Sequence, residues 1–196
     1  MAVSALLIDL DGTLWDSAPW YASLLEPDDR RRRQRLAEQL RDSSAGLRAA
    51  PLLRERYSAA GFTTACMQRG ARLRLYPGAE EVLRRLRRRI ALGVVTSLPG
   101  WMTHPMLAAH GLDDLFTVVQ TAKWGVPSKP HPAGIRHAVA ALAVPPADVV
   151  YLGDARTDLA AAMAAPVPFR WAAWGYDEIL TPVDRASSWM DVGELA

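Results

Sequence analysis

Two aspartates on alternate positions, Asp9 and Asp11, stand at the mouth of the apolar run Ala5-Leu6-Leu7-Ile8 and are followed at once by Gly12, Thr13 and Leu14. Side chains alternate along a strand, so the two carboxylates leave the same face, and the glycine lets the chain turn sharply beyond them. Two acids in one small volume can divide the work of nucleophile and proton donor, or they can hold a hard cation; phosphoryl chemistry uses both. The same spacing also suits a strand-end Asx turn, in which the acids only cap and solvate a loop.

Polar residues recur at the ends of later apolar runs. Residues 91–95 lead into Thr96 and Ser97, and residues 148–152 lead into Gly153, Asp154, Ala155, Arg156, Thr157 and Asp158. Between them lies the proline-bounded loop Ser128-Lys129-Pro130-His131-Pro132. Lys129 is one of two lysines among 23 basic residues, so it stands out from an arginine background. A point charge on a flexible stem reaches a compact site that a planar guanidinium would crowd.

The elements that must position these groups follow from hydrophobic periodicity. Four consecutive aliphatic residues at 5–8 read as a strand buried on both faces, as in a parallel sheet covered by helices. Further strands are expected at 91–95, 116–119, 148–152 and 167–171, with a short one near 188–190. Helices are expected at 79–90, 102–110, 133–142 and 157–165. From 16 to 75 no strong strand signal appears. That stretch reads as helices, one opening at Pro27-Asp28-Asp29 before Arg30 to Arg33, others over about 47–60 and 63–74, with Gly46 and Gly61 as breaks. The four arginines suit either a solvated helix face or an anion-steering patch. Alternating strands and helices imply an α/β fold, a doubly wound, mostly parallel sheet of Rossmann-like type. A small all-helical domain is expected to be inserted after the first strand. The expected division is a core of 1–15 and 76–196 with an insertion of 16–75. Ligands of such sheets bind beyond the carboxyl ends of the strands, where every residue singled out above falls.

Composition narrows the class. With 196 residues, 50% hydrophobic and 22% charged, the chain can bury a full core. A net charge of +2 with no aromatic-interleaved basic module argues against nucleic acid as a partner. Cys66 is the single cysteine, which excludes an internal disulfide and a multi-cysteine zinc site and fits a reducing cytoplasm. No basic n-region precedes the first strand, and no apolar run approaches the roughly 18 residues of a membrane span. A soluble, unexported, cytoplasmic protein is expected.

Taken together, four separated segments resemble the haloacid dehalogenase-like superfamily, in its phosphatase branch with a helical cap, which residues 16–75 would form (phosphoglycolate phosphatase-like). Asp9-Leu10-Asp11-Gly12-Thr13 resembles the first motif, Thr96 the second, Lys129 in Lys-Pro-His-Pro the third, and Gly153-Asp154 through Asp158 the fourth. The resemblance implies an enzyme that hydrolyses a small phosphomonoester through an aspartyl-phosphate. Asp9 is then the nucleophile and Asp11 the general acid and base. Thr96 and the N–H groups from Ser97 onward bind the phosphoryl group, and Lys129 neutralises its charge. The implied cofactor is Mg²⁺, held by Asp9, the Asp11 carbonyl and Asp154, with Asp158 holding its water or orienting Lys129. A phosphomutase of the same family is the nearest alternative; a non-catalytic ligand- or partner-binding relative is another. Asp11 argues against a dehalogenase, whose relatives lack the second aspartate.

Four tryptophans, Trp15, Trp20, Trp101 and Trp124, lie beside these motifs in sequence. They are expected either as packing residues or as an aromatic substrate entrance that favours flat leaving groups. Cys66 is expected to be a packing residue of the cap, and His131 a surface residue.

Overall fold

A computed structural model describes residues 3–41, 45–69, 73–123 and 125–195. Strand β1 (Ala5–Ile8) lies at the centre of a six-stranded sheet with β4 (Ala91–Pro99), β5 (Val118–Ala122), β6 (Val149–Gly153), β7 (Phe169–Ala172) and β8 (Asp184–Ala186). The order is β5-β4-β1-β6-β7-β8, and every pairing is parallel. Chain progression reverses across β1, which makes its carboxyl end the topological switch point where such sheets bind ligands. Leu6 of β1 is in register with Leu92 and Val150 on its two sides.

All four β1 side chains are fully buried because the strand serves two layers. Leu6 and Ile8 join the core face that holds Val82, Leu83 and Leu86 of α5 (Ala79–Leu86) and Met102 and Met106 of α6 (Gly100–Ala109). Ala5 and Leu7 join the opposite face, with Ile135 and Val139 of α7 (Ala133–Leu142) and Ala161 and Ala162 of α8 (Arg156–Ala164). The unbroken aliphatic run in the sequence is thus the mark of a sheet covered on both sides.

Between β2 (Trp15–Asp16) and β3 (Arg74–Leu75) stand four helices: α1 (Ala18–Leu25), α2 (Arg30–Gln39), α3 (Ala45–Arg56) and α4 (Ala59–Arg69). β2 and β3 pair antiparallel, Trp15 opposite Leu75, and so clamp the two ends of the insertion together. Two-residue strands are too short to leave a periodic signal, which is why the segment read as helical throughout. Asp29 caps α2 by accepting from the N–H groups of Arg31 and Arg32, both at 2.9 Å. The side chain of Leu53, Phe62 in α4 and Trp20 in α1 join the same cluster as Leu6 and Ile8, so insertion and sheet share one apolar core.

Three expectations need correction. Gly46 and Gly61 lie inside α3 and α4 and do not break them. The break falls at Tyr57-Ser58, where the Ser58 hydroxyl accepts the Gly61 N–H at 3.1 Å, an N-cap that outweighs glycine's poor helix propensity. Residues 188–190 open a helical turn, α9 (Trp189–Val192), and not a strand. Asp191 there accepts from both the N–H and the hydroxyl of Ser188, each at 3.1 Å, which closes a capping box. The strand beyond Phe116 begins at Val118 and runs to Ala122, later than periodicity suggested.

Candidate active site

The carboxyl end of β1 delivers Asp9, the loop before α7 delivers Lys129, and the turn between β6 and α8 delivers Asp154 and Asp158. Lys129 Nζ lies 2.6 Å from Asp9 Oδ1 and 2.6 Å from Asp158 Oδ1. Its third acceptor is the Tyr151 hydroxyl at 3.1 Å, so the three ammonium protons have three partners. Burial works against the charge of Lys129, but Asp158 and Asp9 outweigh it and hold the ammonium well above its ordinary pKa. The Tyr151 hydroxyl also lies 2.9 Å from Asp158 Oδ1, and burial with the neighbouring carboxylates keeps it protonated as a donor. Asp158 is further fixed by the Ala155 N–H at 3.0 Å, at the start of α8.

Asp154 is fully buried. Its Oδ1 accepts the Thr13 hydroxyl at 2.9 Å and its Oδ2 the Tyr176 N–H at 2.8 Å. The turn after β1 is braced in return, since the Thr13 carbonyl accepts the indole N–H of Trp174 at 2.9 Å and that of Trp189 at 3.3 Å. Gly12 has φ +84°, and a Cβ there would overlap the Asp154 carboxylate. The turn therefore needs glycine both for its left-handed backbone and for space. One oxygen from each of Asp9, Asp154 and Asp158 lies within 4.8 Å of the others.

Three buried carboxylates face one ammonium. Burial, reinforced by Asp158 and Asp9, drives the Asp154 carboxyl well above its ordinary range. Burial likewise raises Asp9, with Lys129 opposing and Asp158 adding to the rise. Such a site is short of positive charge, and an all-oxygen donor set beside a glycine that leaves it room fits a hard divalent cation. The Asp11 carboxylate stands outside this trio. It accepts the Trp15 indole N–H at 3.0 Å and lies 3.1 Å from the Tyr21 hydroxyl, and burial raises its pKa.

Asp9, Asp11, Thr96, Ser97 and Lys129 line one cavity of about 20 Å³, together with Gly46, Leu98, Ala155 and Thr157. That is room for about one water molecule. Thr96 Oγ1 accepts the Leu98 N–H at 3.1 Å, which turns its own hydroxyl proton to other uses. Gly46, the residue that entered the sequence argument only as a break, is where α3 meets the site. A Cβ there would overlap Leu98 and the Asp11 carboxylate.

The tryptophans are placed differently from an open entrance. Trp15 is fully buried and Trp20 only 1% exposed. Trp20 meets Tyr21 at a tilt and Phe62 edge-on, at ring distances of 5.5 and 5.9 Å. Trp101 is half-buried and meets Phe62 edge-on at 5.0 Å. None of these three lines the cavity beside Asp9, because each has been drawn into the apolar seam between insertion and sheet. Trp124 lies outside the described residues. His131 is exposed and accepts the Ala133 N–H at the start of α7, and Cys66 is buried in α4. Tyr151 and Tyr176 went unread as site residues. A lone hydroxyl within the apolar run Val149-Val150-Tyr151-Leu152 was the available signal, since a buried hydroxyl needs a partner.

The described helices include none long and apolar enough to cross a membrane. A phosphoglycolate phosphatase of Haemophilus influenzae is 31% identical over 118 residues, which cover 60% of this chain and 53% of that protein. Against that relative the chain spans about half the length. A phosphoglycolate phosphatase of Xanthomonas campestris pv. campestris is 30% identical over 193 residues, covering 88% of this chain and 84% of that one. The crystal structure of a HAD-superfamily hydrolase, subfamily IA, variant 1, from Geobacter sulfurreducens superposes with a TM-score of 0.76 at 22% identity, over 100% of both chains. The family profile of haloacid dehalogenase-like hydrolases matches residues 6–172, which take in the insertion, all four motifs and every strand of the sheet but β8, and the chain belongs to that family.

Proposed function

We propose that this chain is a Mg²⁺-dependent phosphoric monoester hydrolase that works through an aspartyl-phosphate, with the helical insertion serving as its cap. The observation that carries the reading is the Lys129 ammonium 2.6 Å from Asp9, with Asp11 in the same cavity. A carboxylate oxygen of Asp9 attacks phosphorus and the bond to the leaving oxygen breaks, while Asp11 passes its proton to that oxygen. Burial favours the protonated form of Asp11 that this step needs. In the second step Asp11 takes a proton from water as the water attacks phosphorus, and Asp9 is released. Lys129 offsets charge on Asp9 and the phosphoryl group, and the Thr96 hydroxyl donates to a phosphoryl oxygen. Mg²⁺, held by Asp9, Asp154 and the Asp11 main chain with Asp158 behind them, would supply the remaining positive charge for carboxylates and phosphate.

The cavity of about 20 Å³, with Gly46 and Leu98 in its lining, has room for about one water molecule, so the insertion must shift to admit any ester, and a small leaving group requires a smaller shift than the flat aromatic one expected from the tryptophans. Phosphoglycolate, the substrate in the names of the two relatives above, is a small ester of this kind. The test is phosphate release from a panel of phosphoglycolate, short alkyl phosphates and aryl phosphates, with Mg²⁺ and with chelator, for wild type and Asp9→Asn. The expected outcome is Mg²⁺-dependent release that is fastest for small esters and absent in Asp9→Asn. Turnover by Asp9→Asn would refute the covalent route, and a preference for aryl esters would refute the size argument.

A further inference from the structure

A second cavity, of about 590 Å³, lies at the base of the insertion, against the β2–β3 pair, and shares no lining residue with the cavity beside Asp9. Three guanidiniums surround it, Arg33 from α2, Arg41 just beyond that helix, and Arg74 from β3. A single lining carboxylate, Asp16 of β2, answers them. Asp16 Oδ2 pairs with Arg41 at 2.7 Å, and its Oδ1 already accepts the Tyr176 hydroxyl at 2.9 Å. Arg33 donates only to the neutral Pro27 carbonyl, at 3.3 Å. The backbone of Arg74 pairs opposite Asp16, but its side chain makes no hydrogen bond or ion pair with any described residue. Three guanidiniums against one carboxylate leave the lining with an excess of two positive charges. The rest of the wall is mostly apolar, with the edge of Trp20, the half-buried ring of Tyr76, Pro19 and Leu75.

We infer that this cavity is a second binding site, distinct from the catalytic one, for an organic phosphate dianion that carries a small apolar or aromatic group. The volume falls within the range of small-molecule sites, which are mostly apolar with a few convergent polar groups. Guanidinium forks match phosphate oxygens in pairs, and two uncompensated forks match two charges. The carbon part of the ligand lies against the aromatic and prolyl wall. This role also accounts for the end of the arginine run Arg30 to Arg33. Arg33 is the only member of that run that lines this cavity, and none lines the cavity beside Asp9.

Calorimetric titration of the full chain with phenylphosphonate, a dianion that a phosphatase does not hydrolyse, tests the site. Wild type is expected to bind it at the second site in addition to any binding beside Lys129. Arg74→Ala and Arg33→Ala are each expected to weaken one binding event at least tenfold, with the melting temperature and the rate on saturating substrate unchanged. The Arg74 side chain is exposed and the β2–β3 pairing is made by its backbone, so replacing the side chain leaves the fold intact, and Arg74→Glu gives a second reading with a stronger loss. Benzenesulfonate, of the same shape with one charge, is expected to bind the second site more weakly. Identical phenylphosphonate isotherms for wild type and all three variants would overturn the site, and equal affinity for benzenesulfonate would overturn its assignment to a dianion.

Discussion

Tyr151→Phe separates the lysine-holding network from the packing around it. The change deletes one oxygen from a fully buried ring and keeps the ring itself, which faces Phe169 at 6.3 Å, so no cavity opens. Three contacts go with the hydroxyl: those to Asp158 Oδ1 at 2.9 Å, to Lys129 Nζ at 3.1 Å and to the Val95 carbonyl at 3.2 Å. Asp158 keeps Lys129 and the Ala155 N–H, so neither charged group is stranded. A hydrogen bond to a charged group contributes about 1.5–3 kcal/mol. For a chain of this length each kcal/mol moves the melting temperature by about 2–4 °C, so a drop of about 3–12 °C is expected. Lys129 retains two of its three acceptors but is held less firmly against Asp9. A three- to tenfold fall in kcat, roughly 0.7–1.4 kcal/mol of barrier, should follow with little change in KM. Thermal melts followed by circular dichroism and steady-state phosphate release give both numbers. A lowered melting temperature with kcat unchanged would make Tyr151 a packing residue alone, and no change in either would refute the network.

Gly46→Ala sets two effects against each other, since alanine's gain over glycine, at most about 1 kcal/mol in a helix interior, is smaller in the first turn of α3, while overpacking costs about 1–3 kcal/mol. The overlap with Leu98 and Asp11 should win, lowering kcat most for esters with poor leaving groups, which in the proposed mechanism depend most on the Asp11 proton; a more stable and fully active variant would refute the contact. Asp154→Asn should stabilise the protein in chelator and abolish its thermal response to Mg²⁺, because the amide can donate to Thr13 and accept from Tyr176 without adding charge. The folded state binds a proton at Asp154 more readily than the unfolded state, so metal-free wild type loses stability as pH rises from the ordinary 3.8 towards the raised folded value; melts of both proteins across that window should diverge, and parallel curves would refute the charge argument.

The sheet was legible because burial on both faces leaves a run with no alternation to misread, as at Ala5-Leu6-Leu7-Ile8, and because polar residues mark the strand ends where function collects. Strand ends slipped where the run carried hydroxyls or amides, as at Val118–Ala122, whose Gln120 and Thr121 are buried but read as loop. The helix breaks inside the insertion were misplaced for a different reason. Glycine was taken as punctuation, whereas at Gly46 it answers to close approach and at Gly61 to an N-cap three residues earlier, and neither demand is visible in local propensity. Ser188 and Asp191 did carry a readable capping signal, but the apolar pair Trp189-Met190 hid it.

The site divides along the same line. Asp9, Asp11, Lys129, Asp154 and Asp158 were readable because their chemistry is unusual where they sit: acids paired at strand ends, and a lysine in an arginine-rich chain. What held them was not readable, because Tyr151, Tyr176, Trp174 and Trp189 are ordinary core residues until their polar atoms are placed. The tryptophans near the motifs show the converse. Proximity in sequence suggested an entrance, yet a residue two or three positions beyond a strand end can turn back into the core as easily as outward. Apolar area decides between the two, since burying an indole gains several kcal/mol where stacking on a transient ligand adds about 1 kcal/mol. Trp15 shows how both demands are met at once, with its ring in the core and its N–H on Asp11. The position of Asp11, the proposed general acid, is thereby tied to the packing of the strand that opens the insertion, so a change that loosens the Trp15–Leu75 pairing also loosens Asp11.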